Sequence, residues 1–88
     1  MEYIDKFCKD LNILIKVKVS LNQYLALLSL SWNIGINNLR KSTLLKLLNE
    51  GKYDLAALEF PKWKKANGKV LKGLVKRRQI EQELFLKR

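Results

Sequence analysis

The stretch Ser20-Leu21-Asn22-Gln23-Tyr24-Leu25-Ala26-Leu27-Leu28-Ser29-Leu30-Ser31-Trp32-Asn33-Ile34-Gly35 decides the fold. On a helical wheel, Tyr24, Leu25, Leu27, Leu28, Leu30 and Trp32 cover nearly the whole circumference. A helix apolar on most sides is enclosed by a core or by a membrane. Segment 19–39 carries no charge, so a membrane span has to be weighed. It is set aside because the densely apolar part falls well short of about 20 residues. Asn22, Gln23, Asn33, Asn37 and Asn38 also interrupt its ends. Ser20 suits the cap of this helix and Gly35 its stop. One stripe is small or polar: Asn22, Ala26, Ser29 and Asn33. That stripe either lets a neighbouring helix approach closely or forms a polar wall facing a groove.

The flanking segments also read as short helices. Tyr3, Ile4, Phe7, Cys8 and Leu11 follow helical spacing. Residues 12–19 alternate β-branched residues with lysines, yet one strand without a partner is unstable, so they read as a connector. Ser42 suits the cap of a helix carrying Leu44, Leu45, Leu47 and Leu48, with Gly51 as its end. Asp54 is expected to cap another, with Leu55, Ala56, Ala57, Leu58 and Phe60. Pro61 fits the first turn of the next segment. Residues 63–73 read as a glycine-punctuated basic loop leading into a last helix at 74–86.

On that last helix, Leu74, Ile80, Leu84 and Phe85 share one side, and Lys76, Gln79, Glu83 and Lys87 the other. Arg77 and Glu81 fall inside the apolar stripe, four residues apart and so neighbours. Charges there are costly unless paired. Either they form an ion pair at the rim of the core, or Arg77 points into a cleft or at a partner. The expected architecture is all-α: five to six short helices clustered around one buried helix at 20–34, in a single domain of residues 1–88 without a sheet.

Composition removes several function classes. The 88 residues carry a net charge of +10. Residues 62–88 hold ten Lys/Arg against two Glu, and residues 1–61 hold eight against six acids. A basic end of this kind favours an acidic partner, whether nucleic acid, an anionic membrane surface or an anionic cell-wall polymer. Cys8 is the sole cysteine and there is no histidine. Internal disulfides, thiolate or imidazole metal sites and His-based nucleophilic sites are therefore excluded, and no cofactor is expected. No secretory signal is visible, because the first apolar run, at 13–15, is too short.

A series of motifs in fixed order then carries a resemblance. Gln23-Tyr24-Leu25-Ala26-Leu27, Trp32-Asn33-Ile34-Gly35, Ser42-Thr43-Leu44-Leu45 and Leu48-Asn49-Glu50-Gly51 come first. Trp63, Gly68-Lys69-Val70-Leu71, Gly73-Leu74-Val75-Lys76-Arg77-Arg78 and Glu81 follow. Together they resemble the C-terminal lobe of phage-type lysozymes, the endolysins of glycoside hydrolase family 24. The resemblance covers most of residues 19–86 and, weakly, 2–11. It implies hydrolysis of the β-1,4 bond between N-acetylmuramic acid and N-acetylglucosamine in peptidoglycan. It also implies two lobes joined by a long helix, with the cleft at their junction and the catalytic Glu, Asp and Thr in the N-terminal lobe. Residues 1–19 then read as a remnant of the interlobe helix plus connector, and 20–88 as the C-terminal lobe.

No catalytic residue of that family is found here. Thr43 is the sole threonine, and the position fifteen before it is Leu28. Glu50 and Glu59 stand nine apart, but the third position of the family spacing holds Lys65. Glycoside hydrolysis needs a protonated acid and a second group that acts as nucleophile or positions water. Smaller departures are a connector before Gln23 that is short by family standards, Lys72, where the family commonly has proline, and Trp32, where it has phenylalanine. By resemblance, the cleft-facing residues are Trp32, Asn33, Lys62, Asn67 and Arg77.

The function implied is an endolysin of peptidoglycan degradation and host lysis, truncated and without activity alone. An alternative is the sugar-binding half of a split endolysin, paired with a separately encoded N-terminal lobe. An exposed apolar face there would also favour self-association. From a different class come a small basic nucleic-acid-binding helical protein and a membrane-active amphipathic peptide. Location is expected to be cytoplasmic, with holin-dependent release to the cell wall implied by the resemblance.

Overall fold

Ser20 and Gln23 close a reciprocal cap at the start of the central helix. The Gln23 amide N–H donates to Ser20 Oγ at 3.1 Å, and the Ser20 N–H donates to Gln23 Oε1 at 2.9 Å. This satisfies two of the free donors that open a helix. In the computed structural model, which describes residues 2–66 and 68–87, the helix so started is α2, Leu21–Ile34. It follows α1, Glu2–Leu14, and precedes α3 (Ile36–Arg40), α4 (Thr43–Asn49) and α5 (Tyr53–Ala57). A 3-10 turn at Phe60–Lys62 leads to strands β1 (Lys65–Ala66) and β2 (Lys69–Val70), then to α6, Lys72–Leu86. The architecture is all-α as expected. The 63–73 loop adds one detail, an antiparallel ladder pairing Lys65 with Val70 and Ala66 with Lys69.

Several boundaries differ from those expected of the sequence. α1 runs three residues further, because Leu11 is fully buried and anchors its last turn. α3 was not expected. Gly35 makes it possible, at φ 93° and ψ 147°, ending α2 by donating its N–H to Ser31 O and starting α3 by accepting from Leu39 N. Asp54 is not a cap. Lys52 holds the cap position of α5 without a side-chain bond, and Asp54 sits inside the first turn, where the helix dipole favours a negative charge. α6 begins at Lys72, so Gly73 lies within it. Ser42 does cap α4, accepting from Leu45 N at 3.1 Å. Gly51 at φ 78° ends it in a Schellman turn, with Lys52 N to Leu47 O and Gly51 N to Leu48 O both at 2.9 Å.

The core gathers Leu27 and Leu30 of α2, Leu39, Leu44 and Leu48, Ala56, and the ring pair Phe60–Phe85, whose centroids lie 5.3 Å apart. α2 packs against α6, its largest contact, and against α3 and α1, and it contributes Leu27 and Leu30 to the shared core. It is nevertheless open on one side: Leu21, Leu25 and Trp32 are exposed. The stripe of small and polar residues resolves as a packing seam. Ala26 is fully buried, Ser29 donates to Glu81 on α6, and the Asn22 amide donates to Lys87 O at 3.1 Å. The 15–20 connector is tied down by α4 and α5. The Lys16 N–H donates to Asn49 Oδ1, the Asn49 amide donates to Leu14 O, and Tyr53 Oη donates to Lys18 O. Among the described residues no helix is long and apolar enough to cross a membrane.

Candidate functional site

The α2–α6 seam carries a buried ionic network. Arg78 is fully buried. Its Nε lies 2.6 Å from Glu81 Oε1 as an ion pair without hydrogen-bond alignment, and one terminal nitrogen donates to Glu81 Oε2 at 3.0 Å. The other terminal nitrogen donates to Asn33 Oδ1 at 3.0 Å. Ser29 Oγ donates to Glu81 Oε2. Burial pushes the Glu81 carboxyl above its ordinary range, opposed by the Ser29 hydrogen bond and the two arginines. Burial also lowers Arg78, opposed by Glu81. The inward arginine is therefore Arg78 and not Arg77, as the helical wheel had suggested. Arg77 is half-exposed and only brushes Glu81 at 3.7 Å, and Ile80, assigned to the core stripe, is 55% exposed. The correct row was available in the sequence: Arg78, Glu81 and Phe85 follow i, i+3, i+7 spacing.

Of the hollows beside this network, two take in cleft residues expected from the sequence together with an indole. The first, about 270 Å³, is apolar and lined by Phe7, Leu25, Leu28, Ser29, Trp32 and Arg77. Trp32 meets Phe7 edge-on at 5.1 Å between centroids. The second, about 280 Å³, is lined by Asn33, Ile34, Asn38, Trp63, Lys65, Leu71 and Leu74. Its polarity is set by the neighbours of its two amides. Arg78 has donors only, so it takes the Asn33 oxygen and leaves the Asn33 amide N–H group to donate elsewhere. The Asn38 amide donates to Ile34 O at 2.6 Å, which leaves the Asn38 oxygen able to accept. The hollow thus offers a donor, an acceptor, an indole and an ammonium.

The five expected cleft residues therefore separate. Trp32 and Arg77 line one hollow, and Asn33 lines the other. Lys62 is held by Glu59 at 2.6 Å on the 3-10 turn. Asn67 lies outside the described residues. Sequence reasoning missed Asn38, Lys65 and the site character of Trp63. The ladder at 65–70 and helix α3 are what bring these residues beside Asn33, and neither element was read from the pattern.

The described glutamates that the family spacing singled out are engaged by cations. Glu50 lies 3.3 Å from Lys52, and Glu59 pairs with Lys62. No group of three or more His, Cys, Asp or Glu that could hold a metal occurs among the described residues.

Comparison with known proteins bears on this geometry. The phage lysozyme family matches residues 1–81. An endolysin of Bacillus phage PZA is 49% identical over 82 residues, 93% of this chain and 32% of that protein. An endolysin of Acyrthosiphon pisum secondary endosymbiont phage 1 is 54% identical over 79 residues, 85% of this chain and 54% of that one. A crystal structure of a P22 lysozyme mutant superposes with a TM-score of 0.87 and 40% identity, covering 97% of this chain and 57% of that chain. The muramidase domain of SpmX from Asticaccaulis excentricus gives 0.88 and 34%, covering 97% and 60%. The chain thus spans between a third and just over half of the length of these curated relatives.

Proposed function

This chain belongs to the phage lysozyme family, and from that premise we propose that residues 20–88 act as the sugar-facing C-terminal lobe of a peptidoglycan hydrolase. Residues 1–19 serve as the end of an interlobe helix and its connector. The catalytic acids come from residues outside these 88. The observation that carries the reading is the hollow shared by Asn33 and Trp63, where Arg78 occupies the Asn33 oxygen and leaves its amide N–H group as the donor. That N–H suits the acetamido carbonyl of an N-acetylated sugar, and an indole suits the apolar face of a pyranose ring. Engagement of Glu50 and Glu59 by lysines supports placing the acid chemistry elsewhere.

The apolar hollow of Phe7, Leu25, Leu28 and Trp32, rimmed by Arg77, is the proposed seat of the lobe that brings those acids. A second copy of this chain is the competing occupant, since apolar patches of this kind favour association. The protein is proposed to stay cytoplasmic until it is released to the cell wall.

The test has two arms. Purified chain alone should leave a cell-wall suspension turbid. Clearing that Glu50→Gln or Glu59→Gln abolishes would overturn the placement of the acids. Titration with a chitin oligosaccharide should perturb the Trp63 indole signal, and Asn33→Ala should weaken that binding roughly tenfold or more. No perturbation at Trp63 would remove the sugar-facing role. An added N-terminal lobe from a matched endolysin should restore clearing, and Arg77→Ala should impair the rescue. Sedimentation in a salt series separates a lobe seat from a self-association face.

A further inference from the structure

Segment 63–78 contains seven Lys/Arg and no acid. One of the seven, Arg78, is consumed inside the core. Lys64, Lys65, Lys69, Lys72 and Lys76 are all exposed, and among the described residues none forms an ion pair. Their placement works against the fold. Lys72 and Lys76 occupy the first two turns of α6, which has no acid in its first turn and no side-chain cap. A helix start already carries positive potential and favours acids. The local structure has no use for added cations there, and it concentrates positive field at the surface.

Apolar side chains share this surface. Val70 is 54% exposed, and Leu71 and Val75 are exposed as well. Lys65 stands directly across the ladder from Val70, so the two side chains share one face of it. Lys64 and Val75 line a common hollow beside Gln79. A soluble polyanion needs the cations but gains nothing from exposed valines. A bilayer surface uses both, because the ammonium groups meet anionic headgroups while the short apolar side chains enter the boundary with the acyl chains.

We propose that the strand pair β1–β2 and the first turns of α6 form a docking surface for an anionic lipid bilayer. The protein lies on this surface and does not span it. The docking surface meets the hollow assigned to sugar at Lys65 and Leu71, but Lys69, Val70, Lys72 and Val75, the positions that test it, lie outside that hollow.

The experiment is co-sedimentation of the full chain with vesicles of phosphatidylglycerol and phosphatidylcholine, against pure phosphatidylcholine. Binding is expected on the anionic vesicles and not on the zwitterionic ones. Lys69→Gln with Lys72→Gln should lower the partition coefficient roughly tenfold or more. Val70→Ser with Val75→Ser keeps every charge and should also lower it several-fold. All four positions are exposed, and circular dichroism confirms that each variant keeps its helical content. Failure to bind phosphatidylglycerol vesicles would overturn the proposal. Full binding by the Val70→Ser, Val75→Ser variant, with equal retention on heparin, would overturn it in favour of a general polyanion surface.

Discussion

The two sides of α2 are built on different principles. Towards the core cluster the contacts are aliphatic: Leu27, Leu30, Leu44, Leu48 and Ala56 are fully buried with no charge among them. Towards α6 the seam holds Ala26, Ser29 and Asn33 against Arg78 and Glu81. The aliphatic side tolerates small shifts, because apolar contact is non-directional. The ionic side does not, because each buried donor and acceptor needs its own partner at hydrogen-bond distance. What the seam gives up in robustness it returns as orientation: it fixes which way the Asn33 amide points.

The largest test of this contrast is Arg78→Met. It leaves the Glu81 carboxylate buried without its cation and should cost about 3–5 kcal/mol in denaturant unfolding. The loss should shrink at acid pH, where Glu81 takes up a proton. Leu27→Ala on the aliphatic side should cost about 2–5 kcal/mol with no such pH dependence. Leu28→Ala, one position on but lining the open hollow, should cost clearly less. Equal losses for Leu27 and Leu28 would show that the hollow is closed in solution. Asn49→Ala should cost about 0.5–1.5 kcal/mol, because it removes the bonds to Leu14 O and Lys16 N at a partly exposed site.

The smallest effect is a slope. Burial raises Glu81 above its ordinary value of 4.5. A carboxyl raised in the folded state is harder to ionise there than in the unfolded chain. Its stabilising contribution is complete below the unfolded value and is lost as pH rises through the folded one. Thermal melts at increasing pH, from about 4 upward, should show the wild type losing stability relative to Glu81→Gln. An opposite slope would mean that Arg78 and Ser29 outweigh desolvation.

The same contrast explains what could be read from the sequence. The aliphatic side was legible: the periodic leucines, the Ser20 and Ser42 caps and the Gly51 stop all appear where expected. The ionic side was legible only as an anomaly. A wheel with Leu74, Ile80, Leu84 and Phe85 on one side placed Arg77 inward, while the true face is set by Phe85, Glu81 and Arg78. Hydropathy ranks both arginines alike, and only the partners Ser29 and Asn33, far away in sequence, decide between them. α3 was missed because five residues, Ile36–Arg40, are too few to show a period. Asn33 was expected at the site, but Trp63 and Asn38 join it only through elements of that length.

Gly35 closes one helix and opens another with a single residue. Its dihedral pair, φ 93° and ψ 147°, lies in a region essentially reserved for glycine, although a Cβ there would meet no atom within 4 Å. The obstacle to change is therefore intrinsic to the backbone, so no second-site mutation can make room for a replacement. In evolutionary terms the position has no stepping stones. A side chain at position 35 would have to change the backbone there, and with it the angle between α2 and α3, with Asn33 on one and Asn38 on the other.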